Sequence, residues 1–227
     1  MAMKRAILCV VLPFFLVVGI MAQNSRGVDL YCAGSAEPNS ARETARFHQS
    51  PHGAKRLSRH QLEIGWAGGK AIFKDKPPYN APLDGLQWTY CGYSPALKLH
   101  LIAKTDGGLF TGTLMDDQTG LRLPGGTEVL FSPDRQYYLA YENEDGLDGD
   151  NFTLYKRDGS VVCGGYKGIL SRDGKSVIVN SEDMRDMRFD SQNRPQATAH
   201  LDGGKTLVIT LTQTRNGEWE WLPHVQK

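Results

Sequence analysis

The feature that most constrains this chain is a series of tight-turn dipeptides: Asp106-Gly107, Asp158-Gly159, Asp173-Gly174, Gly203-Gly204 and Asn216-Gly217. Asp-Gly and Asn-Gly reach the positive φ angles that two-residue hairpin turns require. Between them stand short runs with a period of two: Leu62, Ile64 and Trp66; Leu97, Leu99 and Leu101; Leu207, Ile209 and Leu211. Such alternation marks strands with one buried face, and no long helical pattern competes with it. The expected fold class is all-β: an antiparallel β-sandwich or curled β-roll, with a small β-propeller-like arrangement as the alternative.

A weak internal echo feeds that alternative. Leu130-Phe-Ser-Pro-Asp134 precedes the apolar run Tyr137–Tyr141, and Leu170-Ser-Arg-Asp-Gly174 precedes Ser176–Val179. The interval matches a four-stranded propeller blade. Leu201-Asp-Gly-Gly204 before Thr206–Ile209 reads as a third copy, at a shorter interval.

The start of the chain has a different character. Lys4 and Arg5 precede the apolar run Ala6–Ala22, which Pro13 interrupts. A charged start, an apolar stretch and a small residue before a polar change make residues 1–22 an expected signal peptide, cut after Ala22. The run is short for a membrane span. The expected location is therefore the periplasm. Residues 23–60, rich in Ser, Arg, Ala and His, read as a mobile arm with a short helix over Ala41–His48, capped by Ser40 with Glu43 in a capping box. Residues 61–227 are expected to form a single β-rich domain.

Lys plus Arg number 26 and Asp plus Glu 25. That balance gives no electrostatic footprint for nucleic acid or a membrane surface. Beyond the signal segment the cysteines are Cys32, Cys91 and Cys163. In an oxidising compartment one pair is expected to close. Cys32–Cys91 is favoured, each following a tyrosine in a loop-like stretch; the other two pairings stay open on sequence alone.

Residue patterns that carry chemistry are sparse. The six histidines (His48, His52, His60, His100, His200 and His224) show no metal-protease spacing. His48, His52 and His60 are read as solvated rather than as a metal site. Gly92-Tyr-Ser94-Pro-Ala96 is only a loose nucleophile elbow, because its last residue is not glycine and Pro95 lacks the amide an oxyanion hole needs. A secreted hydrolase using Ser94 is thus a minor alternative, and the chain is expected not to be an enzyme.

Two local features stand out. Glu142, Glu144, Asp145, Asp148 and Asp150 crowd one interstrand segment. Carboxylates this close repel unless a cation or basic partner sits among them. The readings are a solvated loop, a partner-facing acidic patch, or Ca²⁺ held by Asp145, Asp148 and Asp150, without the order of an EF-hand. The second feature is Cys163-Gly164-Gly165-Tyr166-Lys167-Gly168. Its glycines allow a backbone path that projects Tyr166 as a partner-binding anchor, with a plain strand end as the competing reading. Trp219 and Trp221 alternate, so both rings face one side of a strand, which reads as core packing or a lid over one sheet edge, with sugar stacking by them or by Trp66 and Trp88 as a minor alternative.

The stretch Val129–Asp134, Tyr138-Leu-Ala140, Asp145-Gly-Leu-Asp-Gly149, Leu154-Tyr155 and Gly164-Gly-Tyr166 resembles periplasmic lysozyme-inhibitor-like proteins. These include immunity proteins against peptidoglycan-hydrolase effectors, and the resemblance covers about residues 129–213. Members of the invertebrate-type lysozyme inhibitor class are β-sandwiches that insert a Ser-Gly-x-Tyr loop into the enzyme cleft. Cys163-Gly164-Gly165-Tyr166 matches at glycine and tyrosine, with cysteine in place of serine. The resemblance implies a non-enzymatic inhibitor whose partner is a peptidoglycan hydrolase. Tyr166, Lys167, Gly164 and Gly165 would contact it, and Glu144, Asp145, Asp148 and Asp150 would steer encounter with a cationic enzyme. An envelope scaffold or adaptor of propeller type is the main alternative.

Overall fold

The computed structural model describes residues 30–32, 38–79, 84–142, 151–166, 169–170, 176–177, 184–201 and 204–223. Among the described residues one short helix, α1 (Ala41–Phe47), accompanies eighteen strands. The first sheet holds β2 (Ala54–Ser58), β3 (Gln61–Trp66) and β4 (Gly69–Lys74). The second holds β5 (Leu86–Ser94), β6 (Leu99–Asp106), β7 (Leu109–Asp116) and β8 (Arg122–Gly125). The third runs through β9 (Glu128–Phe131), β10 (Tyr137–Glu142), β11 (Asn151–Lys156) and β12 (Val161–Tyr166), with β1 (Leu30–Tyr31) added beside β9. A pair follows, β13 (Ile169–Leu170) and β14 (Ser176–Val177). The fourth sheet holds β15 (Met184–Phe189), β16 (Pro195–Leu201), β17 (Lys205–Gln213) and β18 (Trp219–Leu222).

The antiparallel all-β class is therefore as expected, and none of the sheets closes on itself. The sheets pack face to face, as in a sandwich, but in series. Ala54, Leu62, Ile64 and Phe73 of the first sheet meet Tyr90, Ile102 and Met115 of the second. Leu99, Leu101, Ala103 and Leu114 of the second meet Val129, Phe131, Tyr138 and Tyr155 of the third. On the third sheet's other side, Leu130, Leu139, Phe152 and Leu154 meet Ala197, Ala199, Ile209, Leu211 and Trp221 of the fourth. Apart from β1, each sheet is a meander of consecutive strands, which is also the local build of a propeller blade. The echoes at Leu130 and Leu170 fall on the β9–β10 and β13–β14 hairpins. The one at Leu201 is the β16–β17 hairpin inside the fourth sheet.

Serial packing alters what the strands show in sequence. Leu99 through Ala103 of β6 and Tyr138 through Tyr141 of β10 are all buried, since both faces of each strand are covered. Strands buried on both faces read as continuous runs rather than as alternation. The second and third sheets also come close at Gly126, where an added Cβ would lie 1.9 Å from the Tyr141 carbonyl oxygen. Only glycine fits there.

The segment read as a mobile arm is largely part of the body. It supplies β1, α1 and β2. Ser40 caps α1, its Oγ accepting from the Glu43 amide at 3.1 Å, and the Glu43 carboxylate accepts from the Asn39 amide at 2.7 Å. Glu43 itself is fully buried. Arg56 donates to it through Nε at 3.0 Å and Nη2 at 2.8 Å, and the Tyr90 amide donates at 2.8 Å. A charged pair thus does the anchoring that apolar periodicity would otherwise advertise.

Cys32 follows β1 and Cys91 lies in β5, and the two form the expected disulfide. Cys32 donates its amide to the Thr127 carbonyl, and Leu30 pairs with Val129. The N-terminal strand therefore ties the second sheet to the third. A disulfide accords with an oxidising, exported location. Among the described residues no helix is long and apolar enough to cross a membrane.

Candidate functional site

The Cys163-Gly-Gly-Tyr166 stretch lies in β12, at the edge of the third sheet. Cys163 pairs with Leu154, Gly164 with Thr153, Gly165 with Phe152 and Tyr166 with Asn151. The stretch is therefore extended up to Tyr166, with an irregularity in register opposite Leu154 and Tyr155. This corrects the expectation of a glycine-rich loop for Gly164 and Gly165, whose backbones are held in the ladder. Gly164 is exposed, and Val161 at the strand's start is 65 % exposed. Cys163 is free and half-buried, and burial pushes its thiol up to about 11. A thiol this high stays protonated at neutral pH and is a poor nucleophile.

Lys167, Glu144, Asp145, Asp148 and Asp150 lie outside the described residues. Their flanks are placed, however. Glu142 ends β10 and pairs with Asn151, which opens β11 and pairs in turn with Tyr166. The two segments singled out in the sequence therefore depart from neighbouring strands at one end of one sheet. Pairing register alone accomplishes this for Asn151 and Tyr166, with fourteen residues between them.

A second polar group, missed in sequence, is buried between the first and second sheets. Fully buried His100 on β6 lies 3.0 Å from the Tyr90 hydroxyl through Nδ1 and 3.1 Å from Asp117 through Nε2. A carboxylate only accepts, so Nε2 carries the proton and Nδ1 accepts from the tyrosine. The other Asp117 oxygen accepts from Gln118 Nε2 at 3.0 Å and faces His52 at 3.5 Å. The Asp117 carbonyl accepts from the Ala67 amide of the β3–β4 turn, so this residue joins two sheets. The only signal in the sequence is a histidine amid the apolar run Leu99–Ala103.

The group resembles a catalytic relay in composition, and it sits buried where the first and second sheets meet. Both His100 nitrogens are engaged, and Ser94 contributes its carbonyl to the β5–β6 turn through Leu97 and Lys98. His60 is stacked on Tyr79 at 3.7 Å and faces Asp75 at 3.6 Å, while His48 caps α1. Among the described residues no three His, Cys, Asp or Glu side chains form a metal-holding group.

Burial, the largest influence on His100, lowers its pKa below the ordinary 6.5, against an opposing pull from Asp117. The unfolded chain therefore takes up a proton at this position before the folded one does. Stability contributed by neutral His100 is full above about 6.5 and falls as pH drops below it. The expected result is a shallower acid loss of stability in His100→Gln than in the parent, read as denaturation midpoints across a pH series. Equal slopes would show that His100 does not govern this limb.

Burial also raises Tyr93, whose ring lies 4.9 Å from His100 and which Asp117 raises further. No family model matches this chain, and no characterised protein or solved structure matches it significantly.

Proposed function

We propose that the chain is a non-enzymatic, periplasmic binding protein that inhibits a peptidoglycan hydrolase and so serves as an immunity protein. The observation that carries this reading is the pairing of Glu142 with Asn151 and of Asn151 with Tyr166. It gathers the tyrosine-bearing stretch and the ends of the acidic segment at one end of the third sheet. A hydrolase of the muramidase type has two cleft carboxylates, which a tyrosine hydroxyl and the Lys167 ammonium are suited to engage. Carboxylates nearby favour approach of a cationic enzyme. Tyr166 emerges from a strand end rather than from a free glycine loop, so the anchor is held by the β11–β12 ladder.

The test uses the exported chain, purified from the periplasm of an expression host. It is titrated against a panel of lysozyme types and other wall hydrolases in a peptidoglycan-lysis assay. At least one enzyme is expected to lose activity, and Tyr166→Ala to weaken that inhibition more than tenfold with an unchanged melting temperature. Undiminished lysis across the panel would remove the inhibitor reading.

The second reading, an envelope scaffold or adaptor, is favoured by a separate observation: successive sheets of consecutive strands stacked in chain order. Serial blades of this kind present many hairpin ends on one body.

A further inference from the structure

Among the described sheets the first ends the stack, and its outward face carries several lysines. Along β4 and the residues after it, Ala71, Phe73 and Asp75 are buried, while Lys70, Ile72, Lys74 and Lys76 are exposed. Alternate residues on a strand stand about 6.6 Å apart, so Lys70, Ile72 and Lys74 form a row along β4, and Lys76 follows just beyond it, bridged to Leu86 of β5. Lys55 and Leu57 on β2 extend the face. Lys55 pairs with Glu63, and Glu63 with Ile72. The Glu63 carboxylate is shared by Lys70 at 3.1 Å and Lys55 at 3.7 Å, which leaves the face with an excess of positive charge. Within this basic field Ile72 is 46 % exposed and Leu57 44 %.

We propose that this face docks onto an anionic phospholipid bilayer. It is open and carries lysine ammoniums rather than forked guanidinium groups. Point charges on flexible stems suit a diffuse negative surface better than a single stereospecific phosphate. Exposed Ile72 and Leu57 between the lysines add the apolar contact that an interfacial surface uses at headgroup depth. Basic residues near an anionic leaflet are drawn to it over about one Debye length, so the attachment is reversible and salt-sensitive. This surface is distinct from the third-sheet edge and does not depend on the inhibitor reading.

The experiment is flotation of the full exported chain with vesicles of phosphatidylcholine alone, or of phosphatidylcholine and phosphatidylglycerol in equal parts. The chain is expected to float with the anionic vesicles only and to be released as salt is raised. The double variant K74E/K76E, on exposed positions, is expected to lose at least tenfold in binding. The matched change Lys205→Glu, at the exposed start of β17, is expected to leave it unaltered. Thermal melts confirm that each variant is folded. Equal flotation of all variants, or none with anionic vesicles, would overturn the proposal. Retention on wall-polymer fragments without vesicle binding would also overturn it, by giving this face a different partner.

Discussion

Replacing Arg56 by alanine is expected to destabilise the fold by about 3–5 kcal/mol, the cost of leaving a buried charge without its partner. Arg56 is the two-pronged donor to Glu43, whose side chain is 0 % exposed, and it also donates to the Trp88 carbonyl. Its Nη1 lies 3.9 Å from Asp75, whose carboxylate in turn accepts from the Trp88 amide. One guanidinium therefore joins α1, the first sheet and the second. Lysine cannot restore the fork, because it offers a single ammonium where two parallel donors are needed. Chemical denaturation of Arg56→Ala, Arg56→Lys and the pair Arg56→Met with Glu43→Leu distinguishes a buried charge defect from lost packing. Removing both charges is expected to recover stability relative to Arg56→Ala, and failure to do so would locate the cost in the packing of the arginine stem instead.

The second large effect is expected from the disulfide. Cys32 and Cys91 are 59 residues apart, and closing a loop of that length restricts the unfolded chain by about 4 kcal/mol in the chain-entropy model. For a chain of this size that corresponds to a fall of roughly 10 °C in melting temperature on reduction or in Cys91→Ala. The bond also holds β1, which among the described residues pairs with β9 through Leu30 and Tyr31. Differential scanning calorimetry with and without reductant reads the shift. A change of only a degree or two would mean that β1 and its pairing to β9 persist without the covalent tie.

The parts of the fold legible in sequence were those fixed by local chemistry. Asp106-Gly107, Asp158-Gly159 and Asn216-Gly217 each place a glycine at positive φ in a hairpin, at +60°, +86° and +85°. Ser40 and Glu43 mark the start of α1 because capping is a matter of neighbours. Trp221 packs in the core against Phe152, as the alternation of Trp219 and Trp221 requires. What escaped depended on partners distant in sequence. Glu43 was legible only as a capping residue and Arg56 not at all, because nothing local shows that they bury each other. His100 was passed over because its partners, Tyr90 on β5 and Asp117 just after β7, are scattered along the chain. The excess of positive charge on the first sheet's outer face is hidden by an even balance over the whole sequence. For the candidate site, the sequence identified two segments but not that the β10–β11–β12 register would bring them together.

The pairing of β1 has a consequence for the order in which the molecule assembles. Most strands find a partner within a few dozen residues, so each sheet can form soon after its own residues become available. Among the described strands β1 waits longest, Leu30 for Val129 and Tyr31 for Glu128. If the chain enters its compartment amino end first, Cys91 arrives well before β9 does, and oxidation can tether β1 beside the second sheet in advance. The first described strand to emerge thus waits longest for its partner, and the third sheet is begun on a strand already moored in place.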